Sequence, residues 1–273
     1  MTNRPAVDGS RQRTTGAGGS AAAGARMRPR SVAATTCHVL REDSALAVGI
    51  PARDTERAEE TCVARTLRVR RGRWSARPGN DALGGFGLLV LEGLLLRRVD
   101  VGGRCGAELL GPGDLLRPHP VDHSEPVLVR ATAWRALEAT RFAVLDDRVV
   151  ECMASYPGVI GRLLDRGVER SRRLAVNMAI VHHPRVDVRL QMLFWHLADR
   201  WACVRDRPVI LPLRLTHTVL ADLVAAQRPT ISANLSDLER RQIVRPIPHG
   251  WLLLTGPPGQ AREITVGAAQ ARR

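Results

Sequence analysis

Residues 215–254 read LTHTVLADLVAAQRPTISANLSDLERRQIVRPIPHGWLLL. Thr216 is a good helix N-cap, with Leu215 before it and Leu220 after it at hydrophobic-staple positions. Val219, Leu220, Leu223 and Val224 make one apolar face, and Ala221 and Ala225 are small enough to let a second helix cross closely. Ala226 and Gln227 form the tight connection. Pro229 then falls in the first turn of a second helix, predicted over 228–241, whose Ile231, Leu235 and Leu238 face inward at i, i+4 and i+7. Its outer face shows Arg228, Thr230, Ser232, Ala233, Asn234 and Asp237. After Ile243 and Val244 the chain reads as two short strands about a turn. Helix, tight turn, helix and β-hairpin make the winged form of the helix-turn-helix. The competing reading is an ordinary helical hairpin in a core. The short, polar, hydroxyl-rich second helix argues against it.

Upstream, the texture divides the 273-residue chain into five segments. Residues 1–65 are rich in Gly, Ala, Ser and Arg and lack periodicity, which predicts a disordered basic arm. From 66 to 155 glycine punctuation recurs about every ten residues, at Gly93, at Gly102 and Gly103, and at 111–114. Strands are predicted over 86–91, 94–101, 104–110, 127–131 and 136–144, and a short helix follows over 146–154. A proline-initiated helix spans 157–182 within segment 156–183. Ile160, Leu164, Gly167, Ser171, Leu174, Met178 and Val181 step along it by fours and threes, the 3.5-residue seam of a coiled-coil contact. Ile160, Leu164, Gly167, Ser171, Leu174 and Met178 are the candidate dimer interface. Segment 184–256 holds a further helix over 186–203, with His196 and Arg200 expected to face solvent, a strand over 209–213 and the winged motif. Residues 257–273 read as a flexible tail. The fold class is therefore α+β: a jelly-roll-like N-terminal β-roll, a long dimerisation helix and a C-terminal winged helix-turn-helix.

The formal net charge is +14, which favours an acidic partner. Every one of the 41 basic residues is arginine, so part of that charge is coding bias. No apolar run approaches the roughly 18–20 residues a membrane span needs, and no secretory signal is expected at the start. The five widely spaced cysteines read as reduced thiols in a cytoplasmic protein. No catalytic constellation stands out, so an enzyme is not expected.

The stretch LADLVAAQRPTISANLSDLERRQIVRP resembles the DNA-binding signature of the Crp-Fnr family of bacterial transcription regulators. The order of roll, long helix and winged motif is similar too, over about 66–255, and GPGD at 111–114 and the Val129, Arg130, Ala131 strand resemble parts of the cyclic-nucleotide-binding roll. The resemblance implies a homodimer that binds palindromic double-stranded DNA, with RNA polymerase as a further partner. Gln227, Arg228, Ser232 and Asn234 would reach base edges. Thr230 and the wing residue Arg245 would hold phosphates. Ala233 stands where the family carries a second base-reading arginine, which implies a different preferred site.

Three departures touch the ligand. Members that bind cyclic AMP follow the Gly-Asp turn with Gly-Glu-Leu, where 116–120 here reads LRPHP. Their phosphate-binding Arg-Ser pair is replaced by Glu125 and Pro126, a carboxylate and a residue with no amide N–H. Counting without gaps from Pro157 puts Leu174 and Ala175 where the Thr-Ser pair belongs. Cyclic AMP is not expected, no cofactor is predicted, and the effector is left open. Two alternatives stand beside this reading: a regulator with a silent roll, and a metal or haem sensor using His119 and His123.

Overall fold

The computed structural model of the chain describes residues 35–75, 84–118, 128–202 and 208–259. Nine strands build the roll: β1 (Thr36–His38), β2 (Val63–Val69), β3 (Gly72–Trp74), β4 (Gly87–Glu92), β5 (Leu95–Val101), β6 (Arg104–Leu110), β7 (Leu115–Leu116), β8 (Val129–Ala136) and β9 (Thr140–Leu145). They form two antiparallel sheets, ordered β1-β2-β9-β4-β7 and β3-β8-β5-β6. Strand β4 shows why a short apolar run suits this place. Its alternate residues Leu88 and Val90 enter the core shared by the two sheets, while Leu89 enters a second core outside them. Although aromatics are only 3% of the chain, Trp74, Trp134 and Phe142 cluster in the roll, with Trp74 stacked on Phe142 at 5.2 Å between ring centroids. Gly93 turns β4 into β5 at φ +91°, where a Cβ would strike the Ala139 carbonyl.

The structure corrects the arm. Residues 36–65 are not disordered: they carry β1, α1 (Val39–Glu42), a 3-10 turn (Ser44–Leu46), α2 (Ala52–Thr61) and the start of β2. Cys37, Val39, Leu40, Leu46, Ala58 and Cys62 are buried against α3 (Asp147–Ala154) and the first turns of α4 (Pro157–His182). The composition hid this because α2 is almost wholly polar and buries only Ala58, so no apolar stripe marks it as a core helix. Residues 1–34 and the tail from 260 lie outside the described residues, as do His119, His123, Glu125 and Pro126.

The C-terminal part contains α5 (Val186–Trp201), β10 (Val209–Leu211), α6 (His217–Leu223), α7 (Arg228–Arg240), β11 (Val244–Ile247) and β12 (Gly250–Leu253). β10 joins the predicted hairpin in a three-stranded sheet, ordered β10-β12-β11. One apolar core runs from Leu193 and Phe194 of α5 through Leu220, Ile231 and Leu235 to Trp251, whose ring lies 5.0 Å from Phe194. The same core takes in Leu94, Leu96 and Leu109 of the roll. The winged domain therefore packs on the β3-β8-β5-β6 sheet of the roll. The α+β architecture is the one the sequence implies.

Candidate nucleic-acid interface and sensor cavity

Helix α6 begins where Thr216 Oγ1 accepts the Val219 N–H at 3.3 Å. It ends through Ala225 at φ +51°, and the Ala226 N–H returns to the Ala221 carbonyl at 3.0 Å. Arg189 of α5 fastens this turn by donating to the Val224 carbonyl at 3.1 Å. Sequence reasoning missed Arg189, because nothing in its own helix marks it for a turn 35 residues away.

Helix α7 buries Ile231, Leu235 and Leu238 and turns its other face outward. Gln227 caps it in extended conformation, and Gln227, Arg228, Thr230 and Ala233 are exposed. Arg228 takes part in no ion pair among the described residues. Ser232 is half-buried, with its hydroxyl 2.8 Å from His217 Nδ1 and donating to the Arg228 carbonyl at 3.2 Å. It thus ties α7 to α6. Asn234 is half-buried and donates to the Thr230 carbonyl at 2.8 Å. Arg245 is exposed on β11 and bonds Gln242 Oε1 at 2.7 Å. The six candidate residues lie on α7, its cap and the adjoining wing. Arg228, Thr230 and Gln227 are open to a ligand, and Ser232 and Asn234 are engaged within the domain.

Helix α4 presents two different faces. Towards its own chain it turns Val159, Leu163, Arg166, Arg170, Arg173, Asn177 and Ile180, again spaced by fours and threes. Arg166 pairs with Asp43 at 2.7 Å, Arg170 with Glu108 at 2.6 Å and Arg173 with Asp114 at 2.8 Å. The neighbouring face is the apolar seam, and it is uncovered. Leu164 is 59% exposed, Met178 63% and Leu174 36%, with Gly167 and Ser171 open between them. Ile160, at the start, is half-buried.

Among the cavities that meet α4, two flank the roll. One, of about 340 Å3, lies beside β7 and is lined by Phe86, Leu116, Arg117, Trp134, Gly167 and Arg170, with Arg97 and Arg166. Arg97 and Arg170 share Glu108, at 3.0 and 2.6 Å. Leu174, which the gapless count from Pro157 puts at the Thr-Ser position, does not line this cavity. It lines the second cavity, of about 350 Å3, between β6, α4 and α6. His196 and Arg200 also depart from expectation. Arg200 is half-buried and pairs with Asp114 at 2.7 Å, and burial pushes the His196 imidazole below its ordinary pKa. Among the described residues no group of three or more His, Cys, Asp or Glu could hold a metal ion.

The exposed face of α7 is carried on a winged helix-turn-helix domain that packs against a β-roll, the arrangement of a nucleic-acid-binding domain joined to a second module. A family model, the Crp-like helix-turn-helix domain, matches residues 188–256. Similar solved structures extend the likeness over the roll. A CRP-family transcriptional regulator from Thermus thermophilus is 21% identical, with 69% of this chain and 92% of that one covered and a TM-score of 0.50. FixK2 from Bradyrhizobium japonicum is 16% identical, with 71% and 93% covered and a TM-score of 0.50. The c-di-GMP-responsive global regulator CLP of Xanthomonas campestris is 18% identical, with 76% and 100% covered and a TM-score of 0.52. No curated protein matches the chain. Residues 188–256 are therefore a Crp-like helix-turn-helix domain, and the chain has the roll-plus-helix fold of those structures. No helix among the described residues is long and apolar enough to cross a membrane.

Proposed function

We propose that the protein binds two-fold symmetric operators as a homodimer, placing α7 of each protomer in a major groove. The observation that carries this reading is the uncovered seam of α4. The adjacent, arginine-bearing face is already bonded within the chain, so the apolar face is left for a second copy. Two parallel α4 helices would set the two α7 helices one helical turn of DNA apart, the spacing of half-sites in a palindrome. Sedimentation equilibrium, together with operator selection from random duplexes, tests it. A dimer and a symmetric consensus are expected, and a monomer selecting an asymmetric site overturns it.

The roll would sense a ligand other than cyclic AMP. Of the four guanidinium groups lining the cavity beside β7, Arg97 and Arg170 are held by Glu108, Arg166 is held by Asp43, and Arg117 donates to the Gly85 carbonyl. A cyclic phosphate arriving there must compete with carboxylates already in place. Titrating operator affinity with candidate metabolites separates a sensing roll, which shifts it, from a silent one.

A further inference from the structure

We infer that Cys62 and Cys152 form a peroxide-oxidised dithiol site that joins the N-terminal segment to the base of the long helix. The two residues are 90 apart in sequence, yet their sulfurs lie 3.6 Å apart. Cys62 closes α2 and is fully buried, its N–H bonded to the Ala58 carbonyl and its carbonyl accepting the Val39 N–H. Cys152 is half-buried on α3, and its side chain faces an open cleft of about 590 Å3 shared with Ile50, Pro51, Arg57, Thr61 and Tyr156. One sulfur is therefore reachable from outside and the other only through the first. A disulfide bond of about 2.05 Å needs the sulfurs to close by roughly 1.5 Å. Two thiols packed merely as small apolar groups have no need of a solvent cleft ending on one of them.

The order of events follows from that access. The Cys152 thiolate attacks a hydroperoxide: an S–O bond forms, the O–O bond breaks, and one water (or alcohol) leaves after taking up a proton. Cys62 then attacks the sulfenic sulfur: an S–S bond forms, the S–O bond breaks, and the second water carries off the Cys62 proton. Two thiols are oxidised and one peroxide is reduced. Burial and the contact with Cys152 push the Cys62 thiol up to about 12, so Cys62 is not the thiol that meets the peroxide, and it gives up its proton as the S–S bond forms. The bond would pin α2 to α3 at Cys152, five residues before Pro157 opens α4.

The test treats the full chain with hydrogen peroxide, blocks remaining thiols with N-ethylmaleimide and maps the unreduced peptides. A linked peptide pair containing Cys62 and Cys152, returned to two free thiols by dithiothreitol, is expected. Cys62→Ser should convert the product to over-oxidised Cys152 with no linked peptide. The wild-type map decides the matter even where that variant folds poorly. If Cys105 is oxidised while Cys62 and Cys152 both remain alkylated, or if Cys152 links to another cysteine, the site is not a dithiol pair.

Discussion

Asp114, in the 111–114 turn of the roll, and Arg200, on the first helix of the winged domain, are joined by an ion pair of 2.7 Å. Asp114 is only 2% exposed. It also pairs with Arg173 of α4 at 2.8 Å and accepts the Gly111 N–H at 2.9 Å. One carboxylate thus fastens a sensor turn, the long helix and the DNA-binding domain. Asp114→Ala leaves two guanidinium groups without their anion, a loss of about 3–5 kcal/mol for a buried pair. Urea unfolding should show that drop, and a change under about 1 kcal/mol means the two arginines find water instead.

His196 lines the cavity next to this cluster, with Arg173 and Arg200. Desolvation first, and Arg173 second, hold its imidazole below the ordinary value, while Asp199 opposes them. A depressed folded pKa means that the unfolded chain binds the proton more readily. Stability is therefore full above the unfolded pKa, about 6.5, and falls as pH drops below it towards the folded value. The urea midpoint should fall between pH 7.5 and 5.5, and His196→Asn should reduce that fall. An unchanged pH profile in the variant assigns the dependence to other groups.

The seam prediction is best tested at Leu164, which is 59% exposed and touches none of the cavities that Leu174 lines. Leu164→Arg should yield monomers with unaltered helix content by circular dichroism. Separating the two half-site readers should weaken operator binding by about 100-fold or more. A sedimenting dimer of this variant places the contact elsewhere.

The winged motif was legible because its signals are local: a Thr cap, a 3.6-residue period and a proline at a helix start lie within a few residues of what they specify. The interior of the roll was legible from glycine punctuation that recurs about every ten residues. Three other features were not, and each has a physical cause. Residues 36–65 fold through isolated buried side chains such as Val39, Leu40 and Ala58, each supported by partners about a hundred residues on. Nothing in the sequence marks Arg166, Arg170 and Arg173 as paired, since a charged stripe looks the same whether water or carboxylates meet it. Arg200 was misjudged for the same reason: its partner Asp114 lies 86 residues earlier. At the DNA face, the sequence names the outward residues of α7, but it does not tell that Ser232 is turned to His217.

Arg228 and Arg245 separate base reading from phosphate holding. Arg228 opens α7, is exposed and takes part in no ion pair among the described residues, so its guanidinium is available to O6 and N7 of a guanine in the major groove. Arg228→Ala should cost about 1–3 kcal/mol on the selected operator and much less on random duplex. Arg245 lies on the first strand of the wing, where backbone contacts are the available ones. Arg245→Ala should weaken both DNAs alike and lower the slope of log affinity against log salt by about one. Fluorescence anisotropy of both variants on operator and scrambled duplexes, at several salt concentrations, distinguishes the roles. Equal losses for Arg228→Ala on the two duplexes make it a phosphate contact and move α7 out of the base-reading position.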